Sequence, residues 1–337
     1  MAGLVAILVA VLAEVFRRLA ARRESRAASR LTYENYANPL AVSAADLFYR
    51  MREIFAADGS GFFLSGEVHV TTFERYKVLS TLYRMASLLA WIRALRRELL
   101  LLQPKVSRKK ELEEALNAFG EALAEGGHIE ATRLCGLAEV WGLGATSGES
   151  SRRAGIQVDH ELKQALHAGT VARFCDLDEV AQLEALERIH AVVAAAAGAD
   201  VLDRAGLVGS RSRVAGLLSV REAWIYRDWQ AAIGDVLLRE TSSGPRRFQV
   251  IGYRDFETLV EDGDEADRRW LRRLYTVIDD VDVHADRTSD ARIGQLLAVY
   301  VATAGLIKVL SAAGGRRSPI SGDLLTCAKS VVRNPAG

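Results

Sequence analysis

The chain has 337 residues, half of them hydrophobic, and its 44 basic and 43 acidic side chains leave a formal net charge of +1. This balance excludes the overall positive field that marks many nucleic-acid-binding proteins, so we expect no nucleic-acid partner. The three cysteines, Cys135, Cys175 and Cys327, are odd in number and widely spaced, which argues against a disulfide framework and favours a reducing compartment.

The N-terminal segment combines an apolar run with a basic cluster. Residues 2–13 are apolar without interruption, Glu14 breaks the run, and six arginines follow between positions 17 and 30. A spanning helix needs about 20 apolar residues, and arginine stems extend a short one by reaching the headgroups. We therefore predict a single-pass membrane anchor with a basic juxtamembrane segment over residues 1–30. Its membrane-facing residues are Leu4, Ile7, Leu8, Val11, Leu12, Val15, Phe16, Arg17 and Arg18.

The position of the basic cluster predicts the orientation of this anchor. All nearby arginines follow the apolar run, so the positive-inside rule places the N-terminus outside and the body in the cytoplasm, at the inner membrane of a bacterium. Membrane lipid is then the first partner. Two alternatives remain: a helix lying on the membrane surface, and a soluble helical protein that buries its first helix. A cleaved signal peptide would need a basic start, which is missing.

Small residues follow one side of the predicted anchor. Gly3, Ala6, Ala10 and Ala13 recur at spacings of three and four. Such a ridge lets two membrane helices approach closely. We therefore predict a possible homodimer through the first helix.

Residues 31–125 are predicted to form the first part of a helical bundle. The pair Asn38-Pro39 predicts a break, because the residue before proline is pushed out of the helical region, and Ser43 is then expected to cap the next helix. The strongest periodicity runs over residues 72–102, where apolar positions recur every three or four residues and basic residues fall largely opposite. This segment is predicted to be the longest helix of the domain.

The central and C-terminal segments differ in how regular they are. Residues 126–217 are predicted to be an insertion, with glycine-rich loops at 142–155 and 198–216. Residues 218–313 are predicted to form the second part of the bundle. Residues 314–337 are predicted to be a C-terminal tail.

Within the second part of the bundle, three helices and one extended link are expected. The helices cover Val220–Arg239, about Asp264–Val281 and Asp290–Ala313, and Phe248–Gly252 is the link. The last helix is apolar enough to be considered as a second membrane span. Lys308 and the short apolar run favour a helix buried in the bundle instead.

The composition fits this arrangement. Only five prolines occur, and Ala, Leu, Arg and Glu, all strong helix formers, dominate. The predicted fold class is mostly α: a helical bundle behind a single N-terminal transmembrane helix.

Three groups of segments carry a resemblance to other proteins. They are YANPL at 36–40 with AADLFYR at 44–50; FERY at 73–76 with TLYR at 81–84 and LAWIRALRRE at 89–98; and WQAAIGD at 229–235 with IGY at 251–253 and WLR at 270–272. With these segments the chain resembles a loosely defined group of uncharacterised bacterial proteins that carry one N-terminal membrane helix and a cytosolic helical domain. The resemblance implies architecture and topology only.

The residues that commonly carry chemistry do not assemble into a known pattern. The acidic stretch from Asp280 to Asp286 lacks the glycine and glutamate of a calcium-binding loop. His160 and His167 are expected to be a surface pair. Phosphate-binding glycine loops and a nucleophile elbow are missing from the sequence. We therefore expect no metal and no cofactor, and whether the protein is an enzyme stays uncertain, leaning towards no.

One polar cluster stands out as a candidate groove. It combines side chains of the long helix with side chains of a later helix: Trp91, Arg93, Arg97, Arg227, Gln230 and Asp235. If these helices pack, arginine–carboxylate pairs would line a groove for a small ligand or peptide, or form a network at the helix interface. We predict a membrane-tethered interaction or sensor module with an unknown protein partner. The alternative is a membrane-tethered enzyme whose site consists of helix-borne carboxylates and arginines.

Overall fold

The computed structural model describes residues 17–18, 35–55, 71–102, 109–124, 129–144, 148–171, 173–279, 281–283, 290–315 and 318–334. Most of these residues are helical, so the prediction of a mostly α fold is confirmed. The predicted transmembrane helix lies outside the described residues. Of the anchor residues, Arg17 and Arg18 are described, and both are helical and exposed.

The described elements follow one another along the chain as helices with one short hairpin. They are α1 (35–55), α2 (Thr72–Leu102), α3 (Lys109–Ala124), α4 (Ile129–Val140), α5 (Gly148–Gly169), a 3₁₀ turn (Phe174–Asp176), α6 (Glu179–Ala197), α7 (Arg204–Leu218), α8 (Arg227–Leu237), β1 (Leu238–Glu240), β2 (Phe248–Val250), α9 (Tyr253–Asp262), α10 (Glu265–Tyr275), α11 (Ala291–Gly314) and α12 (Gly322–Arg333).

The chain forms two compact units, and neither is a single continuous stretch. The first unit comprises Met1–Ala124, Ile225–Asp280 and Leu297–Gly337. The second unit comprises Glu125–Trp224 and Val281–Leu296.

In the first unit, α1 begins earlier than predicted. The chain is helical from Asn35, so the predicted break at Asn38-Pro39 is wrong, and Ser43 is a buried residue of the helix interior. A proline inside a helix removes a backbone hydrogen bond, and burial of a whole helix face outweighs that loss. The buried face consists of Tyr36, Leu40, Ala44, Leu47, Phe48, Met51 and Ile54.

Helix α2 has the bounds that its periodicity predicts, and it packs against α8. Gly234 of α8 makes this packing close: a Cβ there would lie 3.0 Å from the carbonyl oxygen of Leu89 and 3.1 Å from the Cβ of Arg93. Because the two backbones nearly touch, polar side chains on either side of the contact come within reach of one another.

The expected extended link forms one strand of a short antiparallel hairpin. Strands β1 and β2 pair with Arg239 opposite Gln249, and the hairpin is tied to α1 by Tyr36. The Tyr36 hydroxyl accepts hydrogen bonds from the backbone N–H groups of Arg247 (2.9 Å) and Phe248 (3.2 Å). Burial raises the pKa of Tyr36, and these two hydrogen bonds oppose that shift.

Between the extended link and Gly314, the sequence predicts two helices and the described residues form three. Helix α9 precedes the predicted start at Asp264, and α10 begins directly after Asp264, whose side chain accepts a hydrogen bond from the N–H of Ala266. The separation falls at Gly263, where a Cβ would lie 2.2 Å from the carbonyl oxygen of Leu259. Only glycine fits this close turn between the two helices.

Among the described residues, α11 is the one helix that is long and apolar enough to cross a membrane by length and composition. Its most apolar window has a mean hydropathy of 1.9, and 44% of that window is buried inside the protein. Tyr300 packs on Phe48 of α1 with ring centroids 5.1 Å apart and on Phe55 at 6.1 Å. These contacts support the interpretation of α11 as a buried helix of the bundle.

The second unit contains α4 to α7, and its helices replace both predicted glycine-rich loops. Helix α5 begins at Gly148, inside the first predicted loop, and α7 runs through three glycines of the second. Both predictions of loops are therefore wrong over these residues. Packing explains the difference, since Ala154, Val158, Leu207 and Val214 all lie in the core of the unit.

Side chains cap the helices of the second unit at defined positions. Asp178 caps α6 by accepting a hydrogen bond from the N–H of Ala181. Gly198 ends α6 in the left-handed conformation, at φ 65°. Asp203 caps α7 through the N–H of Gly206.

Candidate functional site on helices α2, α8 and α10

The packing of α8 on α2 brings three of the six predicted groove residues together. The guanidinium of Arg93 donates to both carboxylate oxygens of Asp235, from Nε at 2.9 Å and from Nη2 at 3.2 Å. Arg97, one turn further along α2, places its Nη2 2.9 Å from Oδ1 of the same carboxylate. One carboxylate on α8 therefore serves two arginines on α2.

This arrangement is open to solvent. The side chains of Arg93, Arg97 and Asp235 are each about one third exposed, at 34%, 36% and 36%. Bidentate arginine–carboxylate pairs have good geometry, but water screens their charges. We therefore assign this group a contribution to stability of about 1 kcal/mol or less. Their role is to fix the positions of charged groups on an accessible face.

Trp91 and Arg97 each make a cation–π contact with a residue of the hairpin segment. The guanidinium of Arg246, from the hairpin, lies 5.5 Å from the centre of the Trp91 ring, and that of Arg97 lies 5.5 Å from the centre of the Phe248 ring. Cation–π contacts of this kind contribute about 0.5–1 kcal/mol at exposed sites. The face beside Asp235 is thus made of aromatic rings and arginines together.

The other two predicted groove residues connect α8 to α3. Buried Gln230 donates from Nε2 to the carbonyl oxygens of Gly120 and Ile225, each at 2.7 Å. Arg227 pairs with Glu121 at 3.1 Å. Gln230 therefore holds helices together instead of facing a ligand, and Arg227 lies at the exposed edge.

A second cluster, which the groove prediction did not include, occupies α8 and α10. The guanidinium of Arg273 lies 3.8 Å from the centre of the Trp229 ring and 4.6 Å from that of Trp270. Tyr226 meets Trp229 edge to face at 4.9 Å, and Arg269 lies 4.9 Å from the centre of the Trp270 ring. We call these five residues the Trp–Arg surface.

The Trp–Arg surface is accessible. Tyr226 is 52% exposed, and both tryptophans and Arg273 are partly exposed. The spacing of Trp270 and Arg273 by one helical turn is a sequence signal for their contact. The approach of Trp229 depends on α8 packing against α10, which the sequence does not specify.

Arg96 of α2 is a further basic side chain, and its charge interacts with those of Arg93 and Arg227. It donates to the side-chain oxygen of Asn117 at 3.2 Å. Burial lowers the pKa of Arg96, and the positive charges of Arg227 and Arg93 lower it further, whereas Glu113 opposes them. Like charges therefore gather where α2 meets α8.

A cluster of tyrosines forms a separate polar group on α1, α2 and α9. The rings of Tyr83 and Tyr253 lie 5.5 Å apart, and the Tyr83 hydroxyl donates to the carbonyl oxygen of Ile251 at 3.0 Å. Burial raises the pKa of both hydroxyls. Arg50 donates to Ser80 at 2.9 Å in the same region, so these groups are used in holding helices together.

A cavity of about 430 Å³ lies beside α9. Its lining residues are Arg239, Ile251, Asp255, Thr258, Leu259, Asp262 and Gly263. None of the six predicted groove residues lines this cavity.

Metal-ligating side chains do not gather in the part of the chain that the structure describes. No group of three or more His, Cys, Asp or Glu residues there is placed to hold a metal ion. His160 and His167 are both exposed on α5, as a surface pair would be, and His160 contacts Gln164 at 2.9 Å. Asp280, His284 and Asp286 lie outside the described residues.

Comparison with known proteins adds no relative: no family model matches the sequence, and neither the curated proteins nor the solved structures include a significant match.

Proposed function

We propose that this protein is a membrane-tethered interaction module. Its N-terminal segment anchors it in the bacterial inner membrane with the N-terminus outside, and its helical body binds a protein partner in the cytoplasm. The observation that carries the binding role is the contact of Arg273 with the rings of both Trp229 and Trp270 on a partly exposed face.

The residue types of this face support a role in protein binding. Tryptophan, tyrosine and arginine are enriched at protein interfaces and among the residues whose removal costs most binding energy. Trp229 and Trp270 keep part of their surface in contact with water, and Tyr226 is 52% exposed, so these rings are accessible to a partner.

The membrane tether is inferred from the sequence of the N-terminal segment. The apolar run of residues 2–13 and the arginines that follow it favour a span with a cytoplasmic body. Arg17 and Arg18, at the end of the predicted span, are exposed, and exposed arginines can reach lipid headgroups.

Membrane fractionation with a C-terminal topology reporter tests the tether. We expect the full-length protein in the membrane fraction with its C-terminus in the cytoplasm, and a variant without residues 1–23 in the soluble fraction. A full-length protein that stays soluble would overturn the membrane-tethered function. Co-purification from the membrane fraction, with Trp229→Ala as the variant that loses a partner, tests the binding role.

A further inference from the structure

We infer that the Trp–Arg surface binds an acidic peptide segment of a partner protein, whose carboxylates pair with Arg269 and Arg273 and whose apolar side chains lie on the tryptophan rings. This inference deepens the proposed function by naming the chemistry of the partner, and it rests on the binding role of the helical body. It does not depend on the membrane tether.

The carboxylates that form ion pairs on α8 and α10 are already shared between arginines. Two nearby carboxylates are each already shared by two arginines. Asp235 serves Arg93 and Arg97. Glu265 serves Arg268 and Arg272.

Arginines without a carboxylate partner remain on the same helices. Within the described parts of the chain, Arg96, Arg269 and Arg273 have no carboxylate oxygen within 4.0 Å. The surface therefore has guanidinium groups that the chain itself does not neutralise, and an acidic segment complements them.

The acidic residues that lie close by do not fill this gap. Asp228 and Asp267 have no ion pair among the described residues, but each lies in the first turn of its helix, α8 or α10. There they face the positive end of the helix dipole, which favours a carboxylate. The helix ends therefore stabilise these two carboxylates in place, and neither pairs with Arg269 or Arg273.

Arg273 contacts two rings but no hydrogen-bond acceptor. Its guanidinium lies 3.8 Å from the centre of the Trp229 ring and 4.6 Å from that of Trp270, and it makes no hydrogen bond to any described residue. Its Nη1 atom is out of contact with water and has no acceptor. The part of the Arg273 side chain that stays exposed is where a carboxylate can approach the guanidinium and form a charge-assisted hydrogen bond.

Arginine chemistry favours a peptide over a lipid headgroup. The Trp–Arg surface contains two arginines and no lysine, and interfaces between proteins are enriched in arginine and depleted in lysine. The planar guanidinium stacks on aromatic rings and pairs with carboxylates through two parallel hydrogen bonds. A rigid stack of this kind selects a defined side-chain pattern.

Peptide binding to the full-length protein in a zwitterionic detergent tests the inference. The probe is a short fluorescein-labelled peptide with the repeating sequence Glu-Glu-Leu, and the matched control is the repeating Gln-Gln-Leu peptide. Fluorescence anisotropy measures the binding of each. We expect saturable binding of the acidic peptide only. Binding should weaken as salt is raised, because salt screens exposed charges.

Variants locate the binding on the surface. Arg273→Gln is expected to weaken binding by about tenfold, and Trp229→Leu by a similar factor, since removing one partner of a desolvated charge pair or one aromatic contact has effects of this size. Arg269→Gln, at the exposed edge, provides a variant that keeps the stack and the fold. Arg254→Gln on α9, where the side chain is 91% exposed, removes the same charge elsewhere and should leave binding unchanged.

Four results would overturn the inference. They are no binding of the acidic peptide, equal binding of the Gln-Gln-Leu peptide, the same affinity in Arg269→Gln and Arg273→Gln as in the parent protein, and capture of phosphatidylglycerol vesicles through these arginines in preference to the peptide. A protein that binds the peptide but stays soluble in cells refutes the tether alone, so the two failures are distinguishable.

Discussion

Gly234 of α8 faces the carbonyl oxygen of Leu89 in α2 so closely that a single added Cβ would lie 3.0 Å from it. This contact sets the distance between the two helices that hold Asp235 and its two arginines. Because the neighbouring atom is backbone, it cannot turn away as a flexible side chain would.

Replacing Gly234 should therefore separate α2 from α8. We expect Gly234→Ala to lower the free energy of unfolding by about 1–3 kcal/mol, as over-packing does in other helical proteins. Gly305→Ala in α11, where an added Cβ meets no atom within 4 Å, is the matched control and should be neutral or stabilising by about 0.5–1 kcal/mol. Chemical denaturation followed by circular dichroism measures both. Equal effects of the two substitutions would contradict the close contact.

The shared carboxylate of Asp235 should contribute little to stability. Its partners are about one third exposed, so Asp235→Asn is expected to cost about 1 kcal/mol or less, and less at high salt. Asp200→Asn, in an exposed loop of the second unit, serves as the control and should change nothing measurable. Denaturation at low and high ionic strength checks this. A salt-independent loss of several kcal/mol would mean that the pair is buried.

Buried His190 should make the second unit sensitive to acid. Neither ring nitrogen has a hydrogen-bond partner among the described residues, the ring meets Trp141 edge to face at 4.6 Å, and burial lowers the pKa of His190. The unfolded chain then takes up the proton more readily than the folded one. We expect the contribution of His190 to the free energy of unfolding to be complete above about pH 7. It should fall as the pH drops through about 6.5, the ordinary pKa of histidine.

Comparison with His190→Leu isolates this effect. Burial raises the pKa of Glu222, which acts in the opposite sense and makes the folded state more favourable as the pH falls. The difference between parent and variant removes the contribution of Glu222. When thermal unfolding is measured from pH 7.5 to 5.5, the Tm of the parent protein should therefore fall more steeply than that of His190→Leu. Parallel curves would show that His190 is protonated equally in both states.

Arg133 should be essential to the second unit. Its side chain is 2% exposed and lies between Asp159 at 3.4 Å and Glu222 at 3.6 Å. Removing it leaves the mostly buried carboxylate of Glu222 without its cation, whereas Asp159 keeps Lys163 at 2.6 Å, so we expect Arg133→Met to cost about 3 kcal/mol. The double variant Arg133→Met/Glu222→Gln should recover part of that loss, as measured by urea denaturation. Additive losses would argue against a shared network.

The small residues of the predicted anchor carry the prediction of self-association. They lie outside the described residues, so the homodimer stays a hypothesis from the spacing of Gly3, Ala6, Ala10 and Ala13. We expect Ala6→Leu/Ala10→Leu to reduce cross-linking in membranes, because bulky side chains keep helices apart. Val11→Leu, on the bulky side, is the control. Unchanged cross-linking of the double variant would exclude this interface.

The sequence was most informative where one physical effect dominates. The bounds of α2 follow from thirty residues of regular apolar spacing, and the contact of its arginines with Asp235 follows from the packing of α8 against it. The prediction failed at Pro39 and at Gly148–Gly155, where local propensity opposes the helix. In both places burial of neighbouring side chains outweighs the local preference, and burial depends on the tertiary fold.

The Trp–Arg surface lay beyond prediction for a related reason. Trp229 is separated from Trp270 and Arg273 along the chain by the hairpin and by α9. Periodicity within α10 indicates that Trp270 and Arg273 share a face, but it does not identify the helix that meets them. Only the packing of α8 against α10 shows that a second tryptophan completes the stack.

The discontinuous second unit has a consequence for how the protein is made. Asp290, at the start of α11, forms a backbone bridge with Arg221, and its carboxylate holds the guanidinium of Arg292 at 2.7 Å. On the ribosome, Glu125–Trp224 emerges well before Val281–Leu296, with all of Ile225–Asp280 in between. The second unit therefore reaches its final form only late in translation, when most of the first has already left the exit tunnel.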